Sequence, residues 1–315
     1  MRILITGADG FVGKLLAARL LTQAEQFGGI EELVLLDLAF SRQYSDARVR
    51  CVCGDISDPR VMRTALQNEV ALVFHLACVP GRAAEDDYEL GRKVNLYGTI
   101  ALLDGLRSQR HAPRVVFSSS AAVYGSTYPE RVDDATLPLP ALSYGCHKLM
   151  AEALIEDHSR RGWIDGIALR LSGILARPEG SAANLSAFMN DVLHAARRGS
   201  PFVLPLGAEI ASWLMSAPCC VDNLVHAATV PRAQLTPRRT WMLPALRVSM
   251  RQLVDGLATL FGPDVKTLIT FAPSAALEAI FGQPPLATPG AERMGFRHDG
   301  DVSALIRRSL AVSGH

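Results

Sequence analysis

No uninterrupted apolar run in this chain of 315 residues approaches the ~18 that a membrane-spanning helix needs, so no membrane partner is expected. Charge of one sign is also missing. The 32 basic and 31 acidic residues leave a net +1 without long like-charge stretches, which argues against nucleic acid or an anionic surface as partner. The six cysteines, Cys51, Cys53, Cys78, Cys146, Cys219 and Cys220, make no CxxC pair and no Cys/His spacing suited to zinc. That leaves no metal site to expect and fits reduced thiols in the cytoplasm. Residues 1–5 run straight into a glycine turn with neither charged leader nor apolar signal core, a second reason to expect a cytoplasmic protein. Internal repeats and low-complexity segments are lacking too, which excludes a solenoid. Hydrophobic sequence is abundant: 49% of residues, ample for a buried core in one large domain or two smaller ones.

The apolar residues alternate between two periods. Residues 2–6 form a short β-type run ended by glycine, and residues 10–21 carry apolar side chains at helical spacing. Buried strands follow at 32–38 and 49–54, a helix-like stretch at 59–68 and another strand at 71–77. Residues 95–106 set Leu96, Ile100, Leu103 and Leu106 along one stripe, and residues 114–117 read as a strand leading into Ser118, Ser119 and Ser120. A helix over 143–161 and a strand over 167–171 complete an alternation that predicts a parallel sheet. After Arg177 the pattern breaks into one helical stretch at 187–197, Pro- and Gly-rich breaks and short mixed elements.

The turn Thr6-Gly7-Ala8-Asp9-Gly10-Phe11-Val12-Gly13 spaces its glycines as GxxGxxG between a strand and a helix. Without side chains the backbone turns tightly and approaches a pyrophosphate, whose charge sits at the positive helix N-terminus. Asp37 ends the second strand, where a carboxylate accepts hydrogen bonds from both adenosine ribose hydroxyls and repels the 2′-phosphate of NADP, so NAD is the expected cofactor. Arg42 in the next loop reads as a solvated residue. Asp55, before Ile56, is placed to meet the adenine edge or to cap the helix that starts near Pro59, and the two roles are compatible.

Tyr144 and Lys148 stand one helical turn apart, so phenol and ammonium share a face. A cation beside a tyrosine lowers a pKa otherwise of about 10, which lets the phenolate act as a base on an alcohol near neutral pH. Alone the pair reads as readily as a surface coincidence. The serines and the glycine turn upstream give it chemistry.

Together these residues resemble the extended short-chain dehydrogenase/reductase family, which contains nucleotide-sugar epimerases and dehydratases. The resemblance covers most of the chain and rests on residues 6–13, Asp37, Gly54-Asp55, His75-Leu76-Ala77, Asn95 with Gly98-Thr99, the three serines followed by Val123-Tyr124-Gly125, and Tyr144 with Lys148. It implies an α/β fold: a Rossmann doubly wound parallel sheet with helices on both faces over residues 1–174, then a smaller C-terminal substrate-capping region over 175–315. Parts around 218–246 are expected to return to the first domain. By the same resemblance NAD is held by Gly7, Asp9, Gly10, Phe11, Val12, Gly13, Asp37, Asp55, Ile56, Leu76, Ala77 and Ser118, while Asn95 steadies the helix and strand beside it. Leu171, Ser172 and Ile174 lie against the nicotinamide, and Lys148 binds its ribose. Ser120 orients a substrate hydroxyl whose proton Tyr144 takes, with Ser119 beside it.

The departures bear on substrate. Nucleotide-sugar members of the family place an arginine shortly before a Val-Asp motif to hold a diphosphate. Here Val221-Asp222-Asn223 remains, but residues 210–221 contain no arginine. A small polyhydroxylated substrate fits better, and the family's sugar-acid dehydrogenases, which oxidise a C2 hydroxyl with NAD, are the nearest resemblance. Arg177, Asn184 and the serines are candidates for the substrate carboxylate, with Arg177 equally placed for a loop salt bridge. Cys78, Cys146 and His147 adjoin these motifs and read as packing residues. Related enzymes pair through the helix carrying Tyr144 and the one beginning near Asn95, so a homodimer is expected. An NAD-dependent nucleotide-sugar epimerase or dehydratase, and an NAD-sensing module without turnover, are the competing readings.

Overall fold

The computed structural model describes residues 1–175, 186–235 and 238–311. Twelve strands are found among them: β1 (Arg2–Thr6), β2 (Glu32–Asp37), β3 (Val49–Cys53), β4 (Leu72–His75), β5 (Arg114–Ser120), β6 (Asp165–Leu171), β7 (Gly173–Leu175), β8 (Phe202–Leu204), β9 (Ala211–Ser216), β10 (Thr240–Met242), β11 (Leu246–Ser249) and β12 (Ile269–Phe271). The chain divides into two units.

The first unit comprises Met1–Ser120, Leu142–Arg170 and Val221–Trp241. Its sheet has the order β10-β6-β5-β4-β1-β2-β3, and β1, β2, β3, β4 and β5 pair in parallel. Leu33 to Leu36 are all buried, the continuous apolar run expected of a strand covered on both faces. The chain winds outward from β1 to β3 and then restarts at β4 on the other side of β1. In open α/β sheets such a switch point, beyond the carboxyl ends of the strands, is where ligands bind.

Three local details differ from the sequence reading. Ser118, Ser119 and Ser120 belong to β5 itself, not to a loop after it. Two short helices, Gly81–Asp86 and Tyr88–Arg92, precede a π-type turn over Lys93–Tyr97 that runs into the helix Gly98–Arg107. Asp58, not Asp55, caps the helix Pro59–Ala65, accepting from the Arg60 N–H at 2.8 Å.

The returning segment Val221–Trp241 is fastened by charge. Arg114 donates to the carbonyls of Ala227 and Val230, each at 2.7 Å, while Asp165 accepts from Arg114 at 2.7 Å and from Arg239 at 2.8 Å. Asp222 pairs with Arg19 at 2.5 Å.

The second unit comprises Ala121–Ala141, Leu171–Cys220 and Met242–His315. Ala121–Ala141 groups here, although the sequence pattern keeps it with the first domain. A three-stranded sheet, β11-β9-β7, and a parallel pair, β12 with β8, back onto a core that includes Val192, Leu193, Leu253, Leu257 and Ile306. Those side chains come from the helices Ala187–Arg198, Met250–Phe261 and Val302–Ala311. Ser249 and Gln252 form a capping box at the start of the second of these. Among the described residues no helix is long and apolar enough to cross a membrane.

Candidate active site

The glycine turn closes against the loop that follows β4. Gly7 has φ +69°, and a Cβ placed on it would lie 2.7 Å from the Ala77 nitrogen; one on Gly13 would lie 2.2 Å from the Gly7 carbonyl oxygen. Backbone therefore meets backbone where only glycine fits. The helix Phe11–Thr22 that follows starts at Gly10 with no side-chain cap and no acid in its first turn, which leaves its N–H groups to an anion. Phe11 and Val12 are half-buried in that first turn. Asp37 accepts from the backbone N–H of Asp9 at 2.8 Å and of Leu38 at 2.7 Å, so its carboxylate is held in place at the end of β2. The Asp9 carboxylate itself binds Ser41 at 3.0 Å and faces Lys14 at 3.6 Å, which makes it a tie between turn and loop. Asp55 meets Lys93 at 2.8 Å and Ser57 at 2.7 Å; burial opposes its ionisation, but these bonds outweigh that and lower its pKa. The Ile56 side chain is buried in the core. A backbone cradle, an open helix N-terminus and a fixed carboxylate fit a dinucleotide.

Behind the cradle runs a buried polar chain. The Ala77 N–H donates to Thr6 Oγ1 at 3.2 Å, His75 lies 2.7 Å from Thr6 through Nδ1 and 2.8 Å from Thr99 through Nε2, and Thr99 donates to the Asn95 carbonyl at 2.7 Å. One proton arrangement satisfies every member: Thr6 donates to Nδ1, and the Nε2–H donates to Thr99. Burial, aided by the Lys148 charge, drops the His75 pKa to about 3, so the ring is neutral. Asn95 ends the chain by gripping Val79 twice, accepting from its N–H at 2.7 Å and donating to its carbonyl at 3.0 Å. Its amide is thus spent on positioning the loop of Leu76 and Ala77.

Tyr144 sits half-buried in the first turn of the helix Ser143–Arg160. The Ser143 N–H donates to Glu85 at 2.9 Å, a long-range cap with no sequence signal. Lys148 is 2% exposed, donates to the Ser118 carbonyl at 2.6 Å and places its Nζ 5.6 Å from the Tyr144 ring centroid. Burial lowers the Lys148 pKa, while Cys78 and Glu152 act to raise it. Ser118 donates to the His75 carbonyl at 3.1 Å, and Ser119 donates to Glu152 at 2.5 Å. Both hydroxyls are turned into the fold, which corrects the expectation that Ser119 meets substrate. Ser120, at the end of β5, is half-buried. The structure thus brings Lys148, Tyr144 and the strand end bearing Ser120 together, and adds Glu85, Glu152 and Arg170, none of which the motifs singled out.

Leu171 is half-buried at the end of β6, Ser172 has a buried hydroxyl with no hydrogen-bond partner among the described residues, and Ile174 is buried in β7. Arg177 and Asn184 lie outside the described residues. Within the arginine-free stretch, Ala211–Ser216 is wholly buried, and Trp213 donates through Nε1 to the Pro284 carbonyl at 2.8 Å.

The NAD dependent epimerase/dehydratase family model matches residues 3–239, and the chain belongs to that family. A D-erythronate dehydrogenase of Cupriavidus necator is 38% identical over 322 residues, covering 100% of this chain and 99% of its own. Another D-erythronate dehydrogenase, from Haemophilus influenzae, is 32% identical over 313 residues, covering 98% and 99%. A solved nucleoside-diphosphate-sugar epimerase from Agrobacterium tumefaciens aligns with TM-score 0.92 at 30% identity, over 99% of this chain and 94% of that one.

Proposed function

We propose that this protein is an NAD-dependent dehydrogenase that oxidises the C2 hydroxyl of D-erythronate to the 2-oxo acid. The observation that carries the reading is 38% identity to a D-erythronate dehydrogenase across both full lengths. The chain's own residues support it. Lys148 favours the phenolate of Tyr144, which takes the proton of the substrate hydroxyl, and Ser120 orients that oxygen. The chemistry a cofactor bound in the cradle supplies is acceptance of the hydride from C2. Asp37 directs its preference to NAD over NADP, because a fixed carboxylate repels a 2′-phosphate. A wholly buried, arginine-free β9 speaks for a small substrate over one carrying a diphosphate.

The likeness to the Agrobacterium nucleoside-diphosphate-sugar epimerase supports a second reading, a nucleotide-sugar epimerase, in which the cofactor is reduced and reoxidised within one turnover. Net release of reduced cofactor separates the two. Purified protein given NAD and D-erythronate is expected to build up the near-ultraviolet absorbance of NADH. No signal there, with interconversion of UDP-sugars, overturns the proposal.

We assign the working form as a homodimer. Tyr97 and Ile100 on one helical run and Met150 on the Tyr144 helix leave apolar side chains exposed in the first unit. Sedimentation is expected to give twice the mass of one chain, and Ile100→Glu with Met150→Glu to give a monomer. A monomeric parent protein refutes the assignment.

A further inference from the structure

Tyr144, Lys148 and Glu152 follow one another at four-residue steps, a single face of the helix Ser143–Arg160. The proposed chemistry uses the first two and leaves Glu152 without a role. Yet Glu152 is 5% exposed and held on both oxygens: Arg170 of β6 donates through Nε to Oε1 at 2.9 Å and through Nη2 to Oε2 at 2.7 Å, and Ser119 of β5 donates to Oε1. Withdrawing two charges from water is expensive, and packed apolar side chains would fill the space at less cost. Stability alone does not account for the pair.

Its neighbours indicate what it does. Lys148 donates to the carbonyl of Ser118, and Glu152, one turn further along, accepts from the hydroxyl of Ser119. The helix therefore grips two consecutive residues of β5, and the next residue of that strand is Ser120. Lys148 is faced by Cys78 from the loop after β4, by neutral His75 of β4, by the Ser118 carbonyl of β5, and by Tyr144 and Glu152 of its own helix. Glu152 is the carboxylate among them.

We propose that Glu152 is a positioning residue: its carboxylate, locked by Arg170 and Ser119, fixes the Tyr144 helix on β5 opposite Ser120 and keeps Lys148 an ammonium. The inference rests on Tyr144 being the base. Its logic has a definite sign. Without the carboxylate, Lys148 loses its proton at lower pH, the cation beside Tyr144 is lost earlier, and the phenolate forms at higher pH.

Glu152→Gln keeps the size and an acceptor for Ser119 but removes the charge. Its rise of kcat with pH, assayed with NAD and D-erythronate, is expected to move up by about one pH unit. The tyrosinate absorbance of the protein without cofactor, taken as the difference from the matching Tyr144→Phe protein, is expected to move equally. Ser119→Ala, which removes the grip on β5 and keeps the charge, is expected to lower kcat about tenfold with the pH profile unmoved. If Glu152→Gln fails to fold, Glu152→Gln with Arg170→Gln removes the buried pair together; the carboxylate acts on Lys148 more than the guanidinium does, so the tyrosinate titration is expected to move the same way but by less. An unshifted tyrosinate titration overturns the inference. Turnover retained in Tyr144→Phe, or no oxidation of D-erythronate, overturns the functional reading instead, and the substrate-free titration still decides the case of Glu152.

Discussion

Tyr144→Phe is expected to oxidise D-erythronate about 10²- to 10⁴-fold more slowly than the parent chain, the range that a positioned general base contributes. NAD affinity, read from the quenching of protein fluorescence, is expected to change by less than about threefold, because the ring and its packing remain and the loss is confined to the transition state. Two other basic side chains nearby are committed elsewhere. His75 is 1% exposed, with Thr6 on one ring nitrogen and Thr99 on the other, and its pKa of about 3 marks an imidazole placed for structure. Lys148 is buried and already donates to Ser118, so in the proposed mechanism its part is to favour the phenolate and not to take the proton. Near-parental turnover in Tyr144→Phe would show that another group is the base. A fall in NAD affinity matching the fall in rate would show that the phenol serves binding, not proton transfer.

The residues around Tyr144 show which parts of this fold a sequence displays. The sheet strands of the first unit are short apolar runs between glycine and polar breaks, so β1, β2 and β3 fall within a residue of their expected limits. The glycine turn is legible because its constraint is local: backbone must pass where a Cβ would collide. The serines of β5 mislead because free hydroxyls favour turns. Here the strand is permitted because Ser118 and Ser119 are satisfied by the His75 carbonyl and Glu152, partners 43 and 33 residues away. Asp55, the cap candidate in the sequence, is instead engaged by Lys93 and Ser57, and Asp58 takes the cap, a division that only the chain's path reveals.

The second unit is less legible for the same reason. Trp213 finds its acceptor on Pro284, 71 residues on, and buried Ser216 binds Asp299, 83 residues on. Ala121–Ala141 is tied to that unit by scattered contacts, a strand-like bridge between Val132 and Leu286, the Gly290 N–H on Asp134 and the Tyr124 and Tyr128 rings against Trp213, which leave no periodicity to detect. Glu152 is a different case. Extending the spacing of Tyr144 and Lys148 by one more turn reaches it, so the position was available in the sequence, while its bond to Arg170 was not.

Gly13→Ala is expected to be the most damaging single substitution in the cofactor cradle. The added methyl would stand 2.2 Å from the Gly7 carbonyl oxygen and 2.9 Å from both Cα and the carbonyl oxygen of Ala8. All three are backbone atoms, so no side chain can rotate away; the turn and the first turn of the helix Phe11–Thr22 must separate. Forcing a group into packed space costs about 1–3 kcal/mol. Because the same movement displaces the N–H groups proposed to hold the pyrophosphate, NAD affinity is expected to fall about 100-fold, equivalent to about 2.7 kcal/mol. Gly28→Ala supplies the comparison. Gly28 has φ +68° but nothing within 4 Å of a new Cβ, so it bears the backbone cost of losing glycine, about 1 kcal/mol, without touching the cradle. Calorimetric titration with NAD and thermal melting of both variants separate the effects. Gly28→Ala is expected to lower the melting temperature with NAD affinity intact, and Gly13→Ala to lose both. Parental NAD affinity in Gly13→Ala would mean that the cofactor does not depend on the close passage of these backbones, and the cradle would have to be placed elsewhere.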